Sequence, residues 1–395
     1  MNQRSDLPIH PRRTLMQRLH NHSLYQRFPL SDRKERWKKI NQLFLLLAMP
    51  VAFFGLWHIG QRLKNAYVST NGLINSNNDS SNFIFYLYEW VAKLGMSDLS
   101  LSAHLGVGVI YFTTLVFVCF VTCEFWDRLF VRFFHRIKDG GNLLLCFIFA
   151  LLLPINLPFS YSILGVSFGI VFGKLIFGGN GKYLVSPVLL GVLFLNYSYP
   201  SLFEGSLNTF LSGGDAMQST WNLLTSNGAT SLTTTELSWE QVLIGPHNTF
   251  VSIATVSAFF SLVGLSILLL LRKEYWGTVF GALLGLMFAT LMLNSPDKSS
   301  VWQIQWYWHF VVGSFAFCLL FIATDPSILP ITRLGTIVYG CIFGFLTIVI
   351  RIANPSHPEG TMTALLLASL LVPIIDWIIV MTHRTLLKYK RRRSS

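Results

Sequence analysis

Ten apolar runs, each about long enough to cross a lipid bilayer, take up most of this 395-residue chain. A bilayer core of about 30 Å needs roughly 20 helical residues, because each residue adds about 1.5 Å. The third, fifth and eighth runs are the shortest. The sequence therefore predicts an all-α polytopic membrane protein with about ten transmembrane helices. The runs lie near residues 42–60, 105–124, 142–158, 160–177, 183–199, 248–271, 275–294, 307–323, 333–352 and 361–381.

Basic residues alternate from one side of these runs to the other. If both termini face the cytoplasm, the cytoplasmic segments hold 25 of the 30 Lys and Arg residues and the outer segments hold five. Cytoplasmic loops of membrane proteins are enriched in Lys and Arg. Adding or removing one span would destroy the alternation, so the charges independently support ten spans with both ends inside.

The composition excludes a soluble globular domain. Charged residues make up 12% of the chain and the mean hydropathy is +0.51, whereas soluble domains average about 25% charged residues. The net charge of +12 could indicate nucleic-acid binding, but the basic residues flank apolar runs. We therefore interpret them as signals of orientation in a lipid bilayer and predict no nucleic-acid partner.

The chain divides into a basic cytoplasmic arm (1–40), a transmembrane domain (41–382) and a basic cytoplasmic tail (383–395). An outward loop at 199–245 separates five runs from five, and no Lys or Arg occurs between Lys182 and Arg272. Five spans on each side of one loop suggest a 5+5 inverted repeat, an arrangement common in transport proteins. No internal sequence similarity accompanies it.

A glycine-rich turn follows the fourth run on the cytoplasmic side and contains Gly178, Gly179 and Gly181. Glycines expose backbone N–H groups and allow close approach by a phosphate or a flat ring. A tight turn between helices is the better explanation if the residues are considered alone. The Gly-Lys-Ser/Thr ending of a nucleotide-binding P-loop is absent.

Three acidic residues near the cytoplasmic ends of spans are candidates for an ion path. Asp139 precedes two glycines, where helix capping explains it as well as ion entry does. Asp325 is followed by a proline, which is sufficient to end a helix. Asp376 lies inside the last apolar run, where an acid is costly and often functional, although access to interfacial water explains it equally.

Several segments together resemble the NqrB/RnfD family, the membrane components of the sodium-translocating NADH:quinone reductase (NqrB) and, more distantly, of the related Rnf complex (RnfD). The resemblance covers about Leu43 to Lys388, and its order and spacing are more specific than any single segment. It rests on the Gly-Lys…Phe-Gly-Gly-x-Gly-Lys turn at 173–182, Trp308-His309 with Gly313 and Phe315, Ala323-Thr324-Asp325-Pro326, Arg351-x-x-Asn354-Pro355-x-x-Pro358-Glu359-Gly360, and Pro373-x-x-Asp376.

The resemblance implies two flavins. In that family a Ser-Gly-Ala-Thr motif in the outward loop carries FMN through a phosphoester to the Thr hydroxyl. Gly228, Ala229 and Thr230 are the closest match here, which makes Thr230 the expected attachment site, and a second alignment places Thr220 there instead. The family's second flavin is riboflavin within the membrane, and Gly178, Gly179 and Gly181 are the expected cofactor-binding glycines.

The implied activity is that of a membrane component that passes electrons towards quinone and assists sodium transport in a bacterial inner membrane. Asp139, Asp325 and Asp376 are then the expected acids of the sodium path. Further membrane and soluble subunits would oxidise NADH. The alternative is a diverged relative without flavin that acts as a transporter or assembly partner, because Asn227 replaces the family's Ser and Leu224 its Asp.

Overall fold

The structure is a computed structural model that describes residues 33–69, 101–134, 140–154, 157–203, 239–245, 252–293, 304–353 and 360–393. Within these ranges the chain forms helices and no β-strand. This confirms the prediction of an all-α, multi-pass membrane protein.

Ten helical segments, α1 to α10, follow the ten apolar runs in order. Their bounds are α1 Arg33–Ser69, α2 Leu101–Phe134, α3 Asn142–Leu152, α4 Phe159–Ile170, α5 Pro187–Ser198, α6 Ala258–Leu271, α7 Trp276–Leu293, α8a Trp306–Val311, α8b Phe315–Cys318, α9 Arg333–Ala353 and α10 Gly360–Arg393. Two of them continue as π-helical turns, α4 through Val171–Leu175 and α8b through Leu319–Ala323. Short helices at Pro200–Phe203 and Trp239–Ile244 lie at the two ends of the predicted outward loop.

Five of these helices are long and apolar enough to span a membrane: α1, α2, α7, α9 and α10. Helices α3 to α6 are shorter but also apolar. Large hydrophobic side chains stay exposed on the helix surfaces, with Leu270 at 78% and Leu291 at 74%. Such a surface suits contact with lipid, because exposing apolar side chains to water costs free energy and exposing them to lipid chains does not.

The third span differs from its prediction as one helix over 142–158. Helix α3 ends at Leu152, and Leu153 is extended (φ −70°, ψ 146°). Pro154 explains the end, since a proline disfavours the helical conformation in the residue before it. At about 1.5 Å per residue, the 11-residue helix covers roughly half of a bilayer core.

Helix α8b and its π-helical turn form the centre of the bundle. Every residue from Phe315 to Ala323 is buried, and the segment packs against α6 and α10. From α1, the ring of Phe44 meets that of Phe321 at 6.2 Å. A helix that is apolar on all sides suits either lipid or the interior of a protein, and the complete burial of this segment places it in the interior.

Glycines allow α7 and α9 to pack backbone against backbone. A Cβ added at Gly281 would overlap the carbonyl oxygen of Ile337, and one added at Gly344 would overlap that of Ala282. Small residues at four-residue spacing permit such close approach between helices in membranes. The α7–α9 pair therefore forms a rigid part of the second half of the chain.

Candidate functional site

A small cleft with both apolar and polar lining residues lies where α1, α3, α5 and the end of α8 meet, on the predicted inner side of the bundle. It encloses about 50 Å³. A water molecule needs roughly 10–15 Å³ by the same measure, whereas drug-sized ligands occupy pockets of about 300–1,000 Å³. The cleft therefore suits a few waters or a partly hydrated ion. Its polar wall consists of Asn41, Gly141, Asn180, Tyr183, Ser186 and Asp325.

The glycine-rich turn contributes one residue, Asn180, to the lining of this cleft. Gly178, Gly179 and Gly181 have φ values of 108°, 101° and 75°, a region that residues with a Cβ rarely adopt. The side chain of Asn180 donates a hydrogen bond to the carbonyl of Gly140, which ties the turn to the start of α3. The glycines thus have a structural role as a turn, and their predicted contact with a flavin stays a prediction.

Asp325 also lines the cleft. One carboxyl oxygen accepts a hydrogen bond from the Tyr183 hydroxyl at 2.7 Å, and the other accepts one from the Ser327 backbone N–H at 2.9 Å. Burial raises the pKa of Asp325 above its ordinary value, and these hydrogen bonds offset part of the rise. Both oxygens of this half-buried carboxyl therefore have a partner within the protein.

Asp376 acts as a cap for the segment that precedes α9. Its carboxylate accepts hydrogen bonds from the Ile331 N–H at 2.9 Å, the Thr332 N–H at 3.2 Å and the Thr332 hydroxyl at 2.7 Å. Asp325 lies at the start of the segment that connects α8 to α9, and Asp376 accepts hydrogen bonds from the end of that segment. The structure therefore brings two of the three predicted acids to one connecting segment.

A buried charged network next to the cleft was missed by the sequence analysis. Lys174 Nζ, fully buried in the π-helical turn, lies 3.5 Å from the Asp127 carboxylate and donates to the side-chain oxygen of Asn142 at 2.5 Å. Asn142 in turn donates to Glu124 at 3.0 Å. The network joins α2, α3 and α4. A signal was present, because Lys174 falls inside an apolar run.

Helical structure breaks off early in the third span and is interrupted within the eighth. The first break follows α3, where Pro154 forms an isolated bridge with Ser252. The second separates α8a from α8b, where Val312 is extended (φ −78°, ψ 134°) and Gly313 has φ +76°. Arg351 of α9, which the sequence showed only as part of the family resemblance, contacts carbonyls at this second break.

These breaks occupy the same position in each group of five spans. Inverted-repeat transporters place interrupted helices at corresponding positions of their two halves and bind substrate and ions there. The 5+5 inverted repeat stays a prediction. Within the described ranges, no group of three or more His, Cys, Asp or Glu side chains is arranged to hold a metal ion.

Several predicted site residues lie outside the described residues. They are Asp139, Gly228, Ala229, Thr230 and the alternative Thr220. Flavin attachment in the outward loop therefore stays a prediction. The cleft, at about 50 Å³, does not fit riboflavin in this arrangement, because its ring system is much larger than a few waters.

Comparison with known proteins decides the family. The model of the NQR2, RnfD, RnfE family matches residues 25–384. The chain belongs to this family. The matched region begins before α1 and ends within α10, so it includes both helix breaks and the inner cleft of this family member.

Relatives in the family are similar to this chain over most of its length. A protein of Ectopseudomonas mendocina (strain ymp), named as the B component of the Na(+)-translocating NADH-quinone reductase, is 32% identical over 340 residues, 86% of this chain and 83% of the relative. Proteins with the same name from Klebsiella pneumoniae (strain 342) and Pseudomonas aeruginosa (strain LESB58) are each 30% identical. They cover 90% and 88% of this chain, and 87% and 85% of their own lengths.

Proposed function

We propose that this chain is a membrane component of a sodium-translocating NADH–quinone reductase. In this proposal it lies in a bacterial inner membrane with both termini in the cytoplasm. The observation that carries the proposal is the similarity to NqrB proteins over 86–90% of this chain. The matches also cover 83–87% of the relatives' own lengths.

In this function, the chain provides part of the sodium path. Sodium is a hard cation that prefers oxygen ligands, and the unwound backbone at a helix break offers carbonyl oxygens. The inner cleft holds the Asp325 carboxylate and has room for a partly hydrated ion. Asp325 is the first proposed acid of the path, and Asp376 supports the segment that carries it. Asp139 is proposed as the third.

The outward loop provides the proposed flavin site. FMN would supply one-electron and two-electron transfer, and the Thr230 hydroxyl would carry it through a phosphoester. The loop has no Lys or Arg between Lys182 and Arg272, so it offers no basic side chain for the phosphate dianion. A covalent bond solves this problem, and Gly228 and Ala229 leave space beside it. Quinone is the proposed electron acceptor.

Complementation tests the proposed function. The chain is expressed in a bacterium that has the other reductase subunits but lacks its own NqrB, and NADH–quinone reduction is measured in membrane vesicles with and without sodium. We expect sodium-stimulated reduction to return. Correct assembly of the complex without any sodium-stimulated activity would contradict the proposal.

The flavin-free alternative is supported by the departures at Asn227 and Leu224, and it makes a separate prediction. The purified chain, co-expressed with a flavin transferase, is denatured on a gel and examined for flavin fluorescence. We expect fluorescence that Thr230→Ala removes and Thr220→Ala leaves intact. The reverse result moves the site to Thr220, and a dark band in the unsubstituted chain favours a scaffold or transport role.

A further inference from the structure

Arg351 fills the break in α8 from the neighbouring helix α9. Its side chain is fully buried. Nη1 donates a hydrogen bond to the His309 carbonyl at 2.8 Å, and Nη2 donates to the Val312 carbonyl at 2.7 Å and to the Thr361 hydroxyl at 2.9 Å. One guanidinium thus donates hydrogen bonds to three oxygens, one each from α8a, from the break and from α10.

These oxygens form the type of site that a sodium ion would use. The last carbonyls of a helix lack an N–H partner in the next turn and carry partial negative charge. In transporters with broken helices, such carbonyls coordinate sodium. Ser314 adds a further oxygen at this break, since its buried hydroxyl has no hydrogen-bond partner within the described part of the chain.

The other helix break differs in its sequence. No Lys or Arg occurs from residue 139 to residue 173, a stretch that contains α3, its break and α4. The break in α8, in contrast, holds a guanidinium against its carbonyls. The two breaks therefore differ, and the one in α8 holds an arginine side chain from α9 against its carbonyls.

We propose that Arg351 is a tethered cation that occupies the oxygen cluster at the α8 break and keeps it closed to sodium. This inference rests on the proposed sodium-translocating function and extends it. The planar guanidinium suits the role, because its fixed fork bonds two carbonyls at once and it stays charged at every physiological pH. Arg351 is then a residue that determines which break can bind sodium.

Passive sodium entry into proteoliposomes tests this role. The full chain is reconstituted with a trapped sodium-sensitive dye and without NADH, so that entry does not depend on turnover. We expect Arg351→Ala to raise sodium influx about tenfold or more. The loss of charge-assisted hydrogen bonds should lower the barrier to sodium entry enough to change the rate by at least that factor. The matched control is Arg333→Ala, which removes an exposed arginine from the same helix and leaves influx unchanged.

Chemical rescue gives a second readout that a merely structural role would not change. Millimolar guanidinium ion should reduce sodium influx through Arg351→Ala, because the free cation can occupy the vacated oxygens. The elution profile and melting temperature show whether the Arg351→Ala chain is folded. If it is folded and its sodium influx equals that of Arg333→Ala, the proposal is overturned. Increased influx that guanidinium does not reduce would also overturn it.

Thr361→Val covers the case in which Arg351→Ala does not fold. It removes one of the three oxygens and keeps the arginine, and Thr363→Val on the same helix is its control. We expect higher influx through Thr361→Val than through Thr363→Val, and equal influx would overturn the proposal. Failure of complementation alone would reject the reductase function, whereas the influx measurement reports on the α8 break in either case.

Discussion

Lys174 and Asp127 form an ion pair of 3.5 Å between two helices, and both side chains are almost completely buried. Breaking such a pair from one side costs about 3–5 kcal/mol, because the remaining charge stays buried without its partner. We therefore expect Lys174→Met or Asp127→Asn to lower the melting temperature of the detergent-solubilised chain strongly. The double variant should lose less stability than the sum of the two single variants.

The control for this prediction is a neighbouring ion pair on the same helix. Arg128 lies 3.8 Å from Glu124, but its side chain is 76% exposed. Exposed pairs contribute about 0–1 kcal/mol, so Arg128→Gln should change the melting temperature little. Equal losses in Arg128→Gln and Lys174→Met would show that the buried network has no special role.

Asp325 gives the protein a predicted pH dependence. Burial raises the pKa of this carboxyl, so it takes up a proton at a higher pH than an ordinary aspartate does. A protonated Asp325 binds sodium poorly, and we expect sodium-stimulated reductase activity to fall on the acid side. Tyr183→Phe removes a hydrogen bond that lowers this pKa and should move the acid limb of the pH profile to higher pH.

The same shift has a defined sign for stability. Because the folded-state pKa of Asp325 is raised, its ionisation destabilises the folded state above that pKa, and the penalty disappears as the pH falls below the unfolded value. Asp325→Asn should remove this pH dependence and abolish the sodium stimulation. A Tyr183→Phe profile that coincides with the unsubstituted one would contradict the assignment.

Helix packing makes a third prediction. A methyl group at Gly281 would overlap the backbone of α9, and overpacking of this kind costs typically 1–3 kcal/mol. Gly281→Ala should therefore lower the melting temperature. Gly106→Ala in α2 is the control, since a Cβ there meets nothing within 4 Å; it should be neutral or slightly stabilising, as alanine favours helix over glycine.

Two buried thiols provide a direct check on the position of α3. The sulfur atoms of Cys123 and Cys146 lie 3.3 Å apart, and a shift of little more than 1 Å would bring them to the bond length of a disulfide. A membrane-permeant oxidant should therefore join α2 to α3, which peptide mass spectrometry would detect. Cys341 is the control thiol: a cross-link from Cys123 to it would contradict this packing.

The sequence was sufficient for the fold class, an all-α multi-pass membrane protein, because long apolar runs are imposed by the bilayer. It was not sufficient for the helix breaks. Leu151, Leu152 and Leu153 are equally apolar, so hydropathy continues through the point where Pro154 ends α3. The break in α8 depends on the positive φ of Gly313, which its surroundings select.

The site was predictable only in part. Asp325 and Asp376 were identified as unusual acids, but their partners come from distant positions, with Tyr183 lying 142 residues from Asp325 along the chain. Lys174 and Arg351 were counted as orienting charges, since a sequence does not show that a basic side chain turns into the bundle. Their burial is a product of tertiary packing.

The hydrogen bonds of Asp376 have a mechanical consequence for the inner cleft. Because they anchor residues 331–332 to α10, the wall that carries Asp325 is restrained at its far end by the last helix. We expect that wall to stay in place when the cleft widens to admit an ion. The displacement would then come from Asn180, whose hydrogen bond to the Gly140 carbonyl would have to break or move together with the start of α3.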